Sequence, residues 1–380
     1  MRMIKITALV LGIFSLWGCS QNRLFANYRE LDQTELIQTL GMDRRGETVS
    51  VTVASSVKPD GSYTVFTGDA QTIARALSRI HTYPTKKFLF FGHINNIIIG
   101  SDMLNNMADC LDFIERSTDL RLDSPFFIVR NSTAKELMRE ASVGNARVTE
   151  LLQPLTDESN LGSDNHVFTA KEIISVLTAE GYALAYAVTL TRDEDKVSQG
   201  RANIIPAGYG VIKKGRVIGY IEYEDCLGVN LLINEAVNGI LEIPDSLGGF
   251  VSLSLAGSKA KVSGRYENGE LSEIIISIKT SANIEQLDNS IDIGDEKVIE
   301  ELEKRLEDHL SAYCQKAIQA SRELETDFLG LGKRLSIHNP LAFEKISEDW
   351  ANIFPNIPIN VEIEVLIERT YDIMQTGGVK

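Results

Sequence analysis

Cys19 is the residue whose neighbours commit it to chemistry. It follows Leu16-Trp17-Gly18, and ahead of these stand two cations, Arg2 and Lys5, and an apolar run from Ile6 to Ser15. Cations followed by a short apolar stretch form the layout of a secretory signal. About a dozen apolar residues fall short of the roughly 20 needed to cross a bilayer.

A small residue, Gly18, directly before the cysteine, with Leu16 three before it, resembles the bacterial lipobox. In that motif the thiol takes up diacylglycerol, the signal is cut away and the new amino terminus is acylated. Residues 1–18 are therefore expected to be a signal peptide, and Cys19 an N-palmitoyl, S-diacylglycerol cysteine. Trp17 departs from the motif, where a small side chain is usual. Each buried methylene contributes about 0.8 kcal/mol, so one acyl chain binds reversibly and two or more hold firmly. The expected location is the outer face of a membrane, held through the lipid.

Other chemistry is hard to find. The sequence has no HExxH, paired CxxC, GxSxG or Walker loop. His81, His93, His166, His309 and His338 have no metal-like spacing. His93 reads as core or edge packing at the start of a strand, and His309, among Glu303, Glu307 and Asp308, as part of a solvated helix face. Cys110, Cys226 and Cys314 are far apart and odd in number, so they read as small buried hydrophobes and not as a disulfide framework. Gly330-Leu331-Gly332-Lys333 has the wrong spacing for a phosphate loop, and no Ser or Thr follows the lysine. Both glycines read as turn residues after a helix, at positions suited to positive φ. No catalytic, metal or cofactor-binding residue is assigned.

With 380 residues the chain can form two or three domains, and 43% hydrophobic and 24% charged residues are ordinary globular values. The formal charge is −15, and removal of the signal with Arg2 and Lys5 makes it more negative still. Such acidity argues against a nucleic-acid partner and against electrostatic adhesion to anionic lipid as the means of tethering.

The elements follow from hydrophobic periodicity. Residues 19–27 read as a lipidated tether. Glu30 to Leu40 suggests a short helix ending near Gly41, and Thr48 to Ala54 alternates as a strand. Helices are expected at Asp69–Leu77, Leu104–Ile114, Thr133–Ala141 and Ala170–Glu180, with strands at Ile94–Ile99 and Phe126–Val129. Residues 28–200 thus form an N-terminal α/β region, a helix-covered mixed sheet in one lobe or two. The charged run Arg192 to Lys196 reads as a linker, with the main boundary near residue 200. Residues 201–380 open with a hairpin around Lys213-Lys214-Gly215-Arg216, and two further strands flank Asn268-Gly269. Val298, Leu302, Leu306, Leu310, Ala317 and Leu324 form the stripe of a long helix. Ile359, Val361, Ile363, Val365 and Ile367 alternate as a last strand. The fold class expected is mixed α/β, with an antiparallel sheet packed on a long helix in the C-terminal half.

An ordered set of segments resembles the Ger(x)C family, the C subunit of nutrient germinant receptors in endospore-forming bacteria. The set runs through Tyr28-Arg29-Glu30-Leu31, Leu40-Gly41-Met42-Asp43, Phe91-Gly92-His93 with Ile97-Ile98-Ile99-Gly100, and Leu111-Asp112-Phe113 to Arg121-Leu122. It continues through Ser132-Thr133-Ala134-Lys135-Glu136-Leu137, Thr326-Asp327-Phe328-Leu329-Gly330-Leu331-Gly332, Asn339-Pro340, Trp350 and Phe354-Pro355. Two departures stand out. The family usually has Trp-Asp-Arg after the lipidated cysteine, where Ser20-Gln21-Asn22 stand here, and it tends to carry tryptophan where Phe343 stands. The resemblance implies a three-lobed α/β protein without known catalysis, required for nutrient-triggered germination. It further implies integral-membrane A and B subunits as partners, the spore inner membrane as location, and no cofactor. The rival readings are a solute-binding lipoprotein serving a membrane transporter, which needs a cleft between two doubly wound lobes, and a cell-envelope hydrolase, which needs a pocket with two carboxylates.

Overall fold

The segment expected as a helix from Glu30 to Leu40 is, from Thr34 onward, a strand. In the computed structural model, which describes residues 34–56, 63–83, 87–143, 148–156, 166–191, 203–235, 239–287 and 293–368, β1 spans Thr34–Arg45. Its partners explain the difference. β1 pairs antiparallel with β2 (Thr48–Ser55) on one side and parallel with β5 (Asn96–Ile99) on the other. A strand flanked on both sides and covered on both faces is decided by tertiary pairing rather than by local propensity.

A nine-stranded mixed sheet is built around it. After β3 (Val65–Ala70) come α1 (Ile73–His81), the short β4 (Phe88–Phe90), β5, α2 (Met107–Arg116) and β6 (Phe126–Val129). Then follow α3 (Ala134–Val143), α4 (Val148–Thr156), α5 (Ala170–Glu180), β7 (Tyr182–Thr191), β8 (Asn203–Lys213) and β9 (Arg216–Ile221). The strand order is β3-β2-β1-β5-β6-β7-β8-β9, with β4 beside the first residues of β1. The sheet therefore carries strands from both sides of residue 200. Helices α1, α2 and α5 cover one face through Ile73, Ile80, Met107, Ile114 and Ile173, while α3 and α4 cover the other through Leu137, Met138 and Leu152.

Helix α5 shows how local signals set the boundaries. Thr169 and Glu172 form a reciprocal capping box at its start, and Gly181 closes it at φ 79°. The β8–β9 hairpin turns through Lys214 and Gly215, at φ 51° and 73°. Two consecutive positive values match the twist of a two-residue hairpin.

The C-terminal part continues the core of the α3/α4 face. It comprises α6 (Cys226–Ile233), β10 (Ile240–Pro244), β11 (Phe250–Glu267), β12 (Glu270–Leu287), α7 (Glu296–Glu323), α8 (Leu331–His338), α9 (Pro340–Glu344), α10 (Trp350–Ile353) and β13 (Ile359–Glu368). β10 to β13 form a four-stranded sheet in chain order, and its β11–β12 hairpin turns through Asn268 and Gly269 at φ 52° and 87°. The pairs β10–β11 and β11–β12 are antiparallel, as expected, but β13 joins β12 in parallel. The reason is the crossover: α7 carries the chain back, so β13 sets out in the same direction as β12. With 28 residues α7 is about 42 Å long. Its stripe of Ile299, Leu302, Leu306, Leu310, Cys314, Ala317 and Ile318 is buried. Burying one Leu or Ile contributes about 1.5–3 kcal/mol, which makes this stripe the chief support of the helix. Glu303 and Glu307 also accept hydrogen bonds from the Ile367 and Val365 amides at 2.9 and 3.4 Å, so the helix satisfies part of the outer edge of β13.

Candidate functional site

Cys19 and Tyr28-Arg29-Glu30-Leu31 lie outside the described residues, as does the charged run from Arg192 to Lys196. The structure does place the other segments of the sequence set, and two of its polar residues prove to be organising centres.

The first is Asp43. It sits on β1, 3% exposed, and its carboxylate accepts hydrogen bonds from the Ala134 and Lys135 amides at 2.6 and 2.9 Å. These are the first amides of α3, which lack partners within the helix, and a carboxylate is well suited to them. Thr133 completes the helix start by accepting from the Glu136 amide at 3.0 Å. Gly100 makes the approach possible, because a Cβ there would lie 1.9 Å from an Asp43 oxygen. Three segments far apart in sequence thus meet: Leu40–Asp43, Ile97–Gly100 and Ser132–Leu137. Burial pushes the Asp43 carboxyl up to about 6, against the pull of the two amides. Burial also raises Asp102, which together with Asp43, Arg44, Asp69, Thr133 and Lys135 lines a cavity of about 370 Å³.

The second is Asp327, between α7 and α8. It accepts from the Leu331 amide at 3.0 Å, the Gly332 amide at 2.7 Å and the Trp350 indole Nε1 at 3.0 Å. Gly330 precedes α8 at φ 66°, the left-handed geometry expected for it. Gly332 does not share that geometry. It lies in the first turn of α8, where a Cβ would come 2.6 Å from the Trp350 Nε1, so its smallness admits the indole. Trp350 also packs between Phe343 and Phe354, tilted to both rings, at centroid distances of 5.3 and 5.8 Å. Burial raises the Asp327 carboxyl to about 6, opposed by its three donors.

The remaining candidates do not converge. His93 is exposed in the turn before β5, with its ring edge-on to Phe90 at 5.6 Å, so it belongs neither to the core nor to the start of the strand. Its neighbour Ile94 fills the core position instead. His309 is partly buried on α7 against Tyr313, and burial lowers its pKa. His166 lies between Glu235 at 3.5 Å and Glu172 at 3.7 Å, and its amide donates to the buried Tyr209 hydroxyl. Among the described residues no group of three His, Cys, Asp or Glu is placed to hold a metal ion. Cys110, Cys226 and Cys314 are free and buried. Burial pushes all three thiols up, Cys314 to about 12, so the nucleophilic thiolate is suppressed.

A mostly apolar cleft of about 230 Å³ lies between α5 and α8, lined by Phe168, Ile173, Val176, Leu184, Phe328 and Arg334 among others. The three carboxylates that line it have partners: Glu172 accepts from the Thr169 amide and hydroxyl, Glu180 pairs with Lys333 at 3.2 Å, and Glu235 lies 3.5 Å from His166. Sequence reasoning did not foresee the roles of Gly100, Thr133 and Trp350. The one available signal was the placement of Asp43 directly after the apolar Leu40-Gly41-Met42.

These segments have counterparts elsewhere. Residues 27–190 match the family described as "Spore germination protein N-terminal domain", and residues 207–371 match "Spore germination B3/ GerAC like, C-terminal". The chain is similar in fold to a solved structure titled "Crystal Structure of the GerBC protein", with 18% identity, a TM-score of 0.56, and coverage of 86% of this chain and 96% of that one. Comparison with curated protein sequences gave no match. No helix among the described residues is long and apolar enough to cross a membrane. The chain belongs to the GerAC/GerBC spore germination family and carries both the N-terminal and the C-terminal domain of that family.

Proposed function

We propose that this protein is the lipid-anchored, non-catalytic subunit of a nutrient germinant receptor, held through Cys19 at the outer face of the spore inner membrane. The observation that carries the reading is the ordered match of both family domains across residues 27–190 and 207–371, behind a lipobox-like Leu16-Trp17-Gly18-Cys19. The partners are integral-membrane A and B subunits, and the acidic chain has no use for nucleic acid. The chemistry of the described residues supports a role by contact. Asp43 and Asp327 hold helix starts in place, and the buried thiols stay protonated. The rival solute-binding reading requires two doubly wound lobes around a cleft, and the β10–β13 sheet on α7 is not such a lobe.

The test is nutrient-triggered germination of spores carrying Cys19→Ala, with the membrane-bound fraction of the protein measured alongside. Loss of the protein from membranes together with loss of the nutrient response, while nutrient-independent triggers still work, is the expected result. Loss from membranes with germination untouched would remove the receptor role and leave the anchor.

A further inference from the structure

Among the described residues, the exposed aromatics of the N-terminal part are concentrated at one place. Tyr83, Phe88 and Phe90 are 40%, 39% and 41% exposed. β4 explains why two of them share a side: Leu89 points into the core, so its neighbours Phe88 and Phe90 both face outward. The rings are held rather than loose. His93 packs edge-on against Phe90, Phe66 lies 6.5 Å from Tyr83, and the Tyr83 hydroxyl donates to the Thr67 carbonyl.

The stretch that carries these rings runs against the charge of the chain as a whole. In a chain with 53 acidic residues and a formal charge of −15, the stretch from Ala70 to Ser101 contains no Asp or Glu. It does contain Arg75, Arg79 and Lys87, with Arg75 and Arg79 exposed on α1. Aromatic rings with a polar or cationic rim are the composition that settles at a bilayer's headgroup layer.

The position of the patch relative to the chain's entry completes the argument. β4 pairs with the first residues of β1, placing Phe88 opposite Thr34 and Phe90 opposite Leu36. Cys19 lies 15 residues before Thr34. A chain of that length spans at most about 50 Å fully extended, so a lipid on Cys19 confines the domain near the membrane without fixing which face meets it.

We propose that the face formed by Tyr83, Phe88 and Phe90, in the same acid-free stretch as Arg75, Arg79 and Lys87, rests on the headgroup layer of an anionic bilayer and orients the tethered protein. The proposal rests on the lipid-anchor reading of Cys19. It assigns the bilayer contact to the end of the first sheet where the chain enters. The turn between β10 and β11, where Leu247 and Phe250 are 66% and 51% exposed, is not part of this face.

The experiment uses the full lipidated chain in phosphatidylglycerol-rich vesicles with brominated or unbrominated acyl chains. Phe88→Trp and Leu247→Trp are compared at exposed positions that tolerate an indole, each after subtraction of the Trp350 emission of the parent chain. The proposal expects Phe88→Trp emission to be roughly halved by the brominated lipid while Leu247→Trp is unchanged, because interfacial aromatics sit within reach of the acyl-chain quencher. It also expects the quenching at position 88 to weaken in purely phosphatidylcholine vesicles. A protein that floats with the vesicles but shows no quenching at position 88, equal quenching at 88 and 247, or no dependence on the anionic lipid overturns the proposal and leaves the anchor standing. A protein that does not float with the vesicles overturns the anchor reading, and the proposal with it.

Discussion

A carboxylate oxygen of Asp43 lies where the Cβ of any residue other than glycine at position 100 would be, 1.9 Å from the ideal Cβ position. Gly100 follows β5, Asp43 belongs to β1, and the same carboxylate receives the first two amides of α3. The contact therefore joins two neighbouring strands and the helix that covers them. Its disruption should be felt in all three.

Gly100→Ala is expected to destabilise the chain by about 1–3 kcal/mol, since overpacking forces the carboxylate off its amides or the strands apart. Urea unfolding followed by far-UV circular dichroism measures the change. A variant with an unchanged midpoint would show that the carboxylate can move aside at no cost.

Asp43 also predicts a pH dependence with a definite sign. Its carboxyl is raised from 3.8 to about 6 in the folded chain. A raised acid binds its proton more tightly when folded, so the stability it contributes is fully present below pH 4 and is lost as pH rises through 6. The full effect is on the order of 3 kcal/mol at about 1.36 kcal/mol per pKa unit. Other carboxylates, such as Asp123 and Glu222, are lowered by Arg121 and Arg130 and have the opposite sign. The stability of the parent chain minus that of Asp43→Asn isolates the contribution. This difference is expected to fall between pH 4 and pH 6, and a flat difference contradicts the assignment.

Trp350→Phe removes the indole donor to Asp327 while keeping an aromatic ring between Phe343 and Phe354. A hydrogen bond to a charged group contributes about 1.5–3 kcal/mol, and a loss near the lower end is expected because two amides remain on the carboxylate. Gly332→Ala should cost a comparable amount by the opposite route, pressing a methyl against the indole. Urea unfolding followed by far-UV circular dichroism measures both variants, and for Gly332→Ala the emission of Trp350, the single tryptophan expected in the mature chain, reports on the contact directly.

Within α7 the core stripe is expected to outweigh the surface charge pairs. Leu306 is fully buried, and Leu306→Ala should cost about 2–5 kcal/mol. Glu301 forms an exposed i,i+4 pair with Arg305 at 2.7 Å, and Glu301→Ala should cost no more than about 0.5 kcal/mol. Thermal unfolding of the two variants side by side provides the comparison, and similar losses would mean that the stripe is not what holds the helix.

Much of the fold is legible in local pattern. The alternation from Ile359 to Ile367, the spacing of Leu302, Leu306 and Leu310, and the Asn268-Gly269 turn each report their own element, because side-chain direction repeats every two residues in a strand and every 3.6 in a helix. Ala170–Glu180 was readable to the residue, helped by Thr169 and Glu172 at one end and Gly181 at the other. The stretch ending at Leu40 was misread as a helix because its partners come from residues 48–55 and 96–99, which no local window contains. Gly332 was misread for a similar reason: the group it makes room for is 18 residues away.

The sequence by itself carries a signal-like start with a thiol behind it, and it determined most of the order of elements: an α/β half, and a sheet with a long helix. Those properties depend on residues next to one another. Only the tertiary structure decided what the shared polar residues do. Asp43 and Asp327 are ordinary acids in sequence and become buried helix anchors, because desolvation and hydrogen-bond geometry are set by segments distant in the chain. The same holds for the aromatic face beside Thr34: the basic, acid-free stretch is written in the sequence, but its place at the point of chain entry comes from the pairing of β4 with β1.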